Sequence, residues 1–348
     1  MQRSWRALAV AGATATALLA GAGASSQAVV PSAAVALVPA AVAVEGPAAD
    51  AVRVATFNIL KATKAKGVRS WKKRRVALKR TVAATRPDVL MIQEASTKKW
   101  RGKRHIDDLN RVLGGVGYRI TSTDYDSCTA GCTRGAHIFY NPGRMRMTAL
   151  PGAIQPAGMA GISTVGQLGF GSIQDRNASW AFLTPVGSQR ATLYISVHLP
   201  TDKTAFAESL RQTVASKLRP WADGLIRASG LSGAEIVIGG DLNSYAARQP
   251  YGAQHVLASS GLIDAYTAPV IVNPHYGTIN YTPKTKKYRG FPPRPHYYRT
   301  DPTRIDYIFS TVAAQRHEVA IFLKGNGKFR RIYRVSDHNM VLADLPLR

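Results

Sequence analysis

Short apolar runs that stop on a polar, oxygen- or nitrogen-bearing side chain recur along this chain. TFNIL carries Asn58, VLMIQE carries Glu94, YISVHL carries His198, EIVIGGDLN carries Asp241 and Asn243, and RIDYIF carries Asp306. SDHNMVLADL has the reverse order, with Asp337 and His338 ahead of the apolar stretch. Runs that are apolar at successive positions predict strands covered on both faces. Such strands are expected near 52–60, 88–93, 136–141, 178–184, 191–198, 235–240, 305–310 and 338–345. Trp71, Leu78 and Val82 recur at helical spacing, which predicts a helix over 71–85 that ends before Pro87. Phe206, Leu210, Val214, Leu218 and Trp221 predict a second helix over 204–218 with one apolar face. The chain therefore reads as one mixed α/β domain over 51–348, a length that suits a single large core.

In EIVIGGDLN the two glycines are expected to let the strand end bend. Asp241 and Asn243, two apart, are expected to point the same way and to offer an anionic oxygen, an amide oxygen and an amide donor together. Standing alone, this stretch would read as an ordinary turn.

Before position 51 the pattern changes. Arg3 and Arg6 precede an Ala/Leu/Val/Gly run and then GAGASS, the order of a secretory signal peptide over 1–24, with cleavage near Ala24 or Ala28. The run is short and has no stop-transfer flank, so a secreted chain without a transmembrane anchor is expected. Residues 25–50 are nearly all Ala, Val, Pro and Ser without periodicity and read as a flexible leader. In an exported chain, Cys128 and Cys132 are expected to close a small disulfide loop. Two cysteines without neighbouring histidines are a poor zinc site. Nothing in the pattern implies a stable protein partner, and a monomer is expected.

Charge sharpens the picture. The 46 Lys and Arg against 20 Asp and Glu leave a formal net charge of +26, which predicts attraction to polyanions. The segment Lys61–Arg86 holds 11 basic residues and no acid. A second cluster, Tyr281–Arg304, interleaves Lys284, Lys286, Lys287, Arg289, Arg294 and Arg299 with aromatics that include Tyr297 and Tyr298. Basic side chains suit phosphates and aromatics suit stacking on unpaired bases, so Lys284, Lys286, Lys287, Tyr297 and Tyr298 are candidate substrate contacts. The segment is rich in proline and leads into Asp306, so it is expected to overhang the site as an irregular loop. A surface loop with its tyrosines packed underneath is the competing reading.

The order Asn, Glu, His, Asp-x-Asn, Asp, Asp-His, each at an expected strand end, resembles the deoxyribonuclease I, exonuclease III and phosphatase superfamily over roughly Val52–Leu345. The resemblance implies a four-layered α/β sandwich, two packed mixed sheets flanked by helices, with the strand-end residues converging at one edge. It also implies Glu94, helped by Asn58 and Asp337, as ligands of a divalent cation, Mg2+ with Mn2+ or Ca2+ as alternatives. Arg176, in DRNASWAFL, resembles the arginine ahead of a strand in deoxyribonuclease I and would clamp a phosphate. One departure concerns His198. The place of the acidic residue that pairs with its equivalent in deoxyribonuclease I reads Arg134-Gly135 here, which leaves His198 without an assigned partner. The exonuclease III branch usually lacks a histidine at the His198 place, so the chain is more similar to deoxyribonuclease I, the sphingomyelinases and the inositol phosphatases.

The residue types fit phosphodiester hydrolysis. A hard cation meets the charge of the transition state and prefers carboxylate and amide oxygens. His338 paired with Asp306, and His198 opposite, would bracket a scissile phosphate. Asp241 would orient or deprotonate the attacking water while Asn243 donates to a phosphoryl oxygen. Three function classes follow: a secreted nuclease acting on DNA or RNA, a phosphodiesterase or phosphatase acting on sphingomyelin-type lipids or inositol phosphates, and a basic binding module without catalysis. Every expected catalytic position is filled, which disfavours the third. No expected loop is an exposed apolar hairpin for membrane contact, which favours the first over the second.

Overall fold

A computed structural model describes residues 50–62, 69–96, 99–122, 135–152, 154–161, 177–201, 204–245, 252–274, 276–279, 304–324 and 329–346. The chain divides into two units, Met1–Pro39 and Ala40–Arg348, and all described residues belong to the second. Arg176, Cys128, Cys132, Lys284, Lys286, Lys287, Tyr297 and Tyr298 lie outside the described residues, as does the expected signal peptide.

In chain order the elements are β1 (Ala51–Asn58), α1 (Trp71–Thr85), β2 (Val89–Gln93), β3 (Lys99–Trp100), β4 (Lys103–Arg104), α2 (His105–Gly114), β5 (Arg119–Ile120), β6 (His137–Tyr140), β7 (Met145–Met147), β8 (Ala157–Gly161), β9 (Asn177–Pro185) and β10 (Thr192–His198). There follow α3 (Ala205–Ala228), β11 (Glu235–Asp241), α4 (Ala253–Ser259), β12 (Ile263–Asp264), β13 (Val270–Val272), β14 (Asp306–Ser310), β15 (Arg316–Ala320) and β16 (Met340–Pro346). One seven-stranded sheet runs β13-β15-β16-β1-β2-β6-β5; the other runs β12-β14-β11-β10-β9-β7, with β8 also on β9.

Both faces of each sheet are buried, which is why the strands are apolar at successive positions. Side chains alternate along each strand, so each one feeds two layers. Val54, Val89, Met91, Tyr194, Val237, Ile308 and Val341 fill the layer between the sheets. Their neighbours Ala55, Phe57, Leu90 and Ile92 face outward against Trp71, Leu78 and Val82 of α1 and Ile106, Leu109 and Leu113 of α2. On the other side, Leu193, Ile195, Ile236, Ile238 and Phe309 pack on Val214, Leu218, Ala222 and Ile226 of α3 and Leu257 of α4. The result is the expected four-layered sandwich: helices, two mixed sheets, helices.

The structure revises several local expectations. The second helix runs on to Ala228 through Pro220, because the buried stripe Leu210, Val214, Leu218 continues at the same spacing to Ala222 and Ile226. Phe206 is 65% exposed and does not belong to that stripe. Arg74 does not join the basic surface of α1; it is buried and donates to the carbonyls of Ile59, Leu60, Lys61 and Val335. The glycines of β11 do not bend the strand, which keeps its pairing with β10 and β14 through Gly239 and Gly240 to Asp241. They permit close approach instead. A Cβ on Gly239 would lie 2.1 Å from Met91 Cε, and one on Gly240 would lie 1.9 Å from the Val197 carbonyl oxygen.

Candidate active site

The inner-facing row of each central strand ends in a polar residue at the same edge of the sandwich. In β1 the row is Val54, Thr56, Asn58; in β2 it is Val89, Met91, Gln93; in β10 it is Tyr194, Ser196, His198; in β11 it is Val237, Gly239, Asp241. Parallel pairing carries β1 and β2, and β10 and β11, to this edge together. The antiparallel strands β14 and β16 start there, so Asp306 opens β14 and His338 lies just ahead of β16. His198, Asp241 and Asp306 are direct neighbours across three strands.

Asp241 sits at the centre. Its Oδ2 accepts from Asn58 Nδ2 at 2.9 Å and lies 3.3 Å from His198 Nε2 and 3.9 Å from His338 Nε2. Its Oδ1 accepts from the Asn243 backbone N–H at 2.9 Å. Burial opposes its charge, yet His198, His338 and Asn58 outweigh burial and hold the carboxyl below its ordinary range. Asp241 is thus the partner of His198 that the sequence left unassigned. His338 Nδ1 lies 2.8 Å from Asp306 Oδ2. Burial lowers the His338 imidazole, but Asp306, Asp241 and Asp337 outweigh burial and raise it well above its ordinary value, which favours its charged form. Burial pushes Asp306 up against the pull of His338, and the charge of Asp241 adds to the rise.

Glu94 follows β2 with φ at 64°, a left-handed conformation that swings its side chain into the same edge. Its Oε1 accepts from Asn58 Nδ2 at 3.3 Å and its Oε2 from the Lys61 backbone N–H at 2.9 Å. Burial works against its ionisation, but His198, that N–H, His338 and Asn58 keep its pKa low. Asn58 Oδ1 accepts from Leu60 N–H. Asp337 is half-buried and accepts from Ser336 Oγ at 3.1 Å. Asn243 does not point with Asp241 as expected. At φ 49° its side chain turns aside, and Nδ2 donates to the Leu199 carbonyl at 2.9 Å.

Several supporting residues escaped the sequence reading. Thr278 Oγ1 accepts from the backbone N–H groups of both Ile305 and Asp306 at 3.0 Å, which fixes the start of β14. Gln93 donates to Ser196 Oγ and Thr56 Oγ1, each at 3.1 Å, and so bridges the sheets directly behind the site. Arg211 and Glu208 of α3 hold the turns after β10 and β11 through the Pro200 carbonyl and Ser244 Oγ. Gln93 and Ser196 could have been found, since each is a polar residue on an otherwise apolar row; Thr278, in an irregular segment, left no such signal.

A hard cation could be held in two ways. Ligand atoms of Asp241, Asp306 and His338 come within 4.8 Å of one another. A protonated His338 bonded to Asp306 is a poor ligand, however, because metal binding needs the neutral ring. The Glu94 carboxylate with Asp337, and with Asn58 once its amide oxygen turns from the Leu60 N–H, would form an all-oxygen donor set of the kind Mg2+ and Ca2+ prefer. Among the described residues no helix is long and apolar enough to cross a membrane.

The sequence matches the Endonuclease/Exonuclease/phosphatase family over residues 55–338. No curated protein matches the chain. Solved structures share the fold. A Bacteroides thetaiotaomicron endonuclease/exonuclease/phosphatase family protein is 18% identical, with a TM-score of 0.60 over 87% of this chain and 100% of that one. A mannosyl-6-phosphatase of the same organism is 18% identical, with a TM-score of 0.59 over 84% and 99%. The human Nocturnin catalytic domain is 17% identical, with a TM-score of 0.51 over 85% and 93%.

Proposed function

This chain belongs to the endonuclease/exonuclease/phosphatase family, and from that premise we propose that it is a secreted, metal-dependent nuclease that hydrolyses DNA or RNA phosphodiester bonds. The observation that carries the reading is the row His198, Asp241, Asp306 with His338 against it, an anion flanked by two imidazoles at the mouth of a buried edge.

The cation His338, held by Asp306, donates from Nε2 to a non-bridging phosphate oxygen and binds the charge that grows in the transition state. His198 faces the same phosphate from the β10 side and is kept in place by Asp241. A carboxyl with a low pKa is a weak base, so Asp241 orients the attacking water through a hydrogen bond and favours the charged form of His338, whose Nε2 lies 3.9 Å away. Asn243 Nδ2 keeps one N–H on Leu199, and its second N–H is the donor left for a phosphoryl oxygen. Glu94, with Asn58 and Asp337, would hold the divalent cation, Mg2+ by preference, which when bound neutralises phosphoryl charge and assists the departing oxygen. Arg176 is the further candidate phosphate clamp.

The fold is shared with a mannosyl-6-phosphatase, so a phosphomonoester or lipid headgroup is the competing substrate. A net charge of +26 favours a polyanion over a single phosphate. Purified protein with Mg2+, tested against plasmid DNA, total RNA, sphingomyelin, an inositol phosphate and mannose 6-phosphate, decides between them. Cleavage of nucleic acid that stops in excess chelator is expected. Turnover confined to a small phosphate ester would overturn the nuclease reading, and full activity in chelator would overturn the metal. Export is tested separately by the N-terminus of protein recovered from culture medium, expected near residue 25 or 29.

A further inference from the structure

The exposed face of α1 takes no part in the site. Lys72, Lys73, Val76 and Arg80 lie along it, and Arg69 precedes it. Across a groove of about 460 Å3 stand Arg331 and Ile332, on the short helical turn Arg331–Tyr333. Among the described residues no acidic side chain lines the groove. Arg69 donates to the Arg331 carbonyl, and burial first, then the nearby charges of Arg331 and Arg334, lower its pKa. Val76 and Ile332 are 45% and 48% exposed, an aliphatic floor between the cations. Beneath the groove, Arg74 of α1 donates to the Lys61 and Val335 carbonyls and so ties the helix to the two segments that carry Asn58 and Asp337.

We propose that this groove is an accessory track for the phosphodiester backbone of a nucleic-acid substrate, with phosphates on Lys72, Lys73, Arg80 and the two arginines Arg69 and Arg331, and sugar faces on Val76 and Ile332. The proposal rests on the nuclease reading above and adds where the chain beyond the scissile bond runs. From Lys72 to Arg80 the helix advances roughly 12 Å at 1.5 Å per residue. That is the rise of about three to four nucleotides of one strand. An anionic lipid surface is the poorer fit, because membrane contact needs apolar side chains that protrude, and these line a hollow.

The test compares the full-length protein with two triple variants of equal charge change. One is Lys72→Gln/Lys73→Gln/Arg80→Gln in the groove; the other is Arg190→Gln/Lys217→Gln/Arg227→Gln, at exposed positions outside it. Binding to a labelled 30-nucleotide DNA or RNA is measured in EDTA across a salt series, with the integrity of the strand checked on a gel and thermal melting used to confirm the fold. Each cation withdrawn from a phosphate should flatten the slope of log affinity against log salt by about 0.7–0.9, so the groove triple should flatten it by about 2–3 and the control by less than half of that. Equal flattening by both triples would overturn the proposal. So would loss of binding to phosphatidylglycerol vesicles in the groove triple while its nucleic-acid slope stayed at the wild-type value. Hydrolysis of bis(p-nitrophenyl) phosphate and of the oligonucleotide by wild type separates the two claims. Groove-dependent binding without hydrolysis would support the track and sink the nuclease reading, whereas oligonucleotide hydrolysis with equal slopes would sink the track alone.

Discussion

Glu94 occupies a left-handed backbone conformation that costs a non-glycine residue on the order of 1 kcal/mol or more, and that cost is met by two hydrogen bonds to its carboxylate. Glu94→Gln keeps the shape and the acceptor for Lys61 N–H but removes the charge. Turnover should fall beyond the ~10–100-fold that loss of an outer-sphere partner costs, with the melting temperature nearly unchanged; wild-type turnover in this variant would remove Glu94 from the ligand set. His338 and His198 should each lower turnover by at least ~100-fold on replacement by Ala. Asp306→Asn separates the roles further. Asp306 raises the His338 imidazole, so without it the ring should lose its proton at lower pH, and the alkaline limb of the pH–rate profile should move down. A limb that stays in place would show that His338 does not act as the cation. Most of these residues were legible because each interrupts an apolar run. The His198–Asp241 contact was not, because it depends on parallel pairing of β10 and β11, whose register is set by the whole sheet rather than by either run. Asn243 was misread because the two-residue rule for side-chain direction holds in a strand and fails at φ 49°.

At the scale of elements, the site depends on how closely β10 and β11 approach. Gly240→Ala would push a methyl group into the Val197 carbonyl, which is backbone and cannot turn aside. A cost of about 1–3 kcal/mol is expected, together with a loss of turnover, since His198 and Asp241 are the next pair along the same two strands. Denaturant unfolding and kinetics on one preparation check both; an Ala variant with wild-type stability would contradict the close approach. Buried strands and long amphipathic helices were readable because their patterns span a full element. The short edge strands β5, β12 and β13 were not, because two or three residues carry no period. β15 was hidden differently: His317 and Glu318 are polar in sequence but buried in the fold, with Glu318 paired to Arg316. α2 had the signal, Ile106, Leu109, Val112 and Leu113 at helical spacing, but its stripe is only ten residues long and follows directly on a run of basic residues that masks where it starts.

Across the whole molecule, acid sensitivity should come from buried neutral histidines before it comes from carboxylates. Burial lowers His105 and His317 to about 3 and His137 to about 4. In the unfolded chain each takes up a proton near 6.5, so between about 6.5 and 4 the unfolded state binds more protons and stability falls as pH is lowered. Asp306, Asp88 and Glu318 work the other way, because burial raises each and a raised carboxyl favours the folded state at low pH; of the three only Asp306, raised to about 6, takes up its proton early enough to offset one of the histidines from the start of this range. Melts between pH 8 and pH 4 should therefore show stability declining from about pH 6.5, well above the ordinary carboxylate range. His105 offers the sharpest test. Its ring packs edge-on against Trp71 at 4.3 Å, and among the described residues neither ring nitrogen has a hydrogen-bond partner. The charges that act on it are Arg74 and His137, which oppose its protonation, and Asp108 and Glu94, which favour it. His105→Phe keeps an aromatic ring on Trp71 and removes the proton, so it should leave stability at pH 8 within about 1 kcal/mol and flatten the decline by up to about 1.4 kcal/mol per pH unit. An unchanged slope would mean that His105 already titrates alike in both states, and that the acid response belongs to other groups.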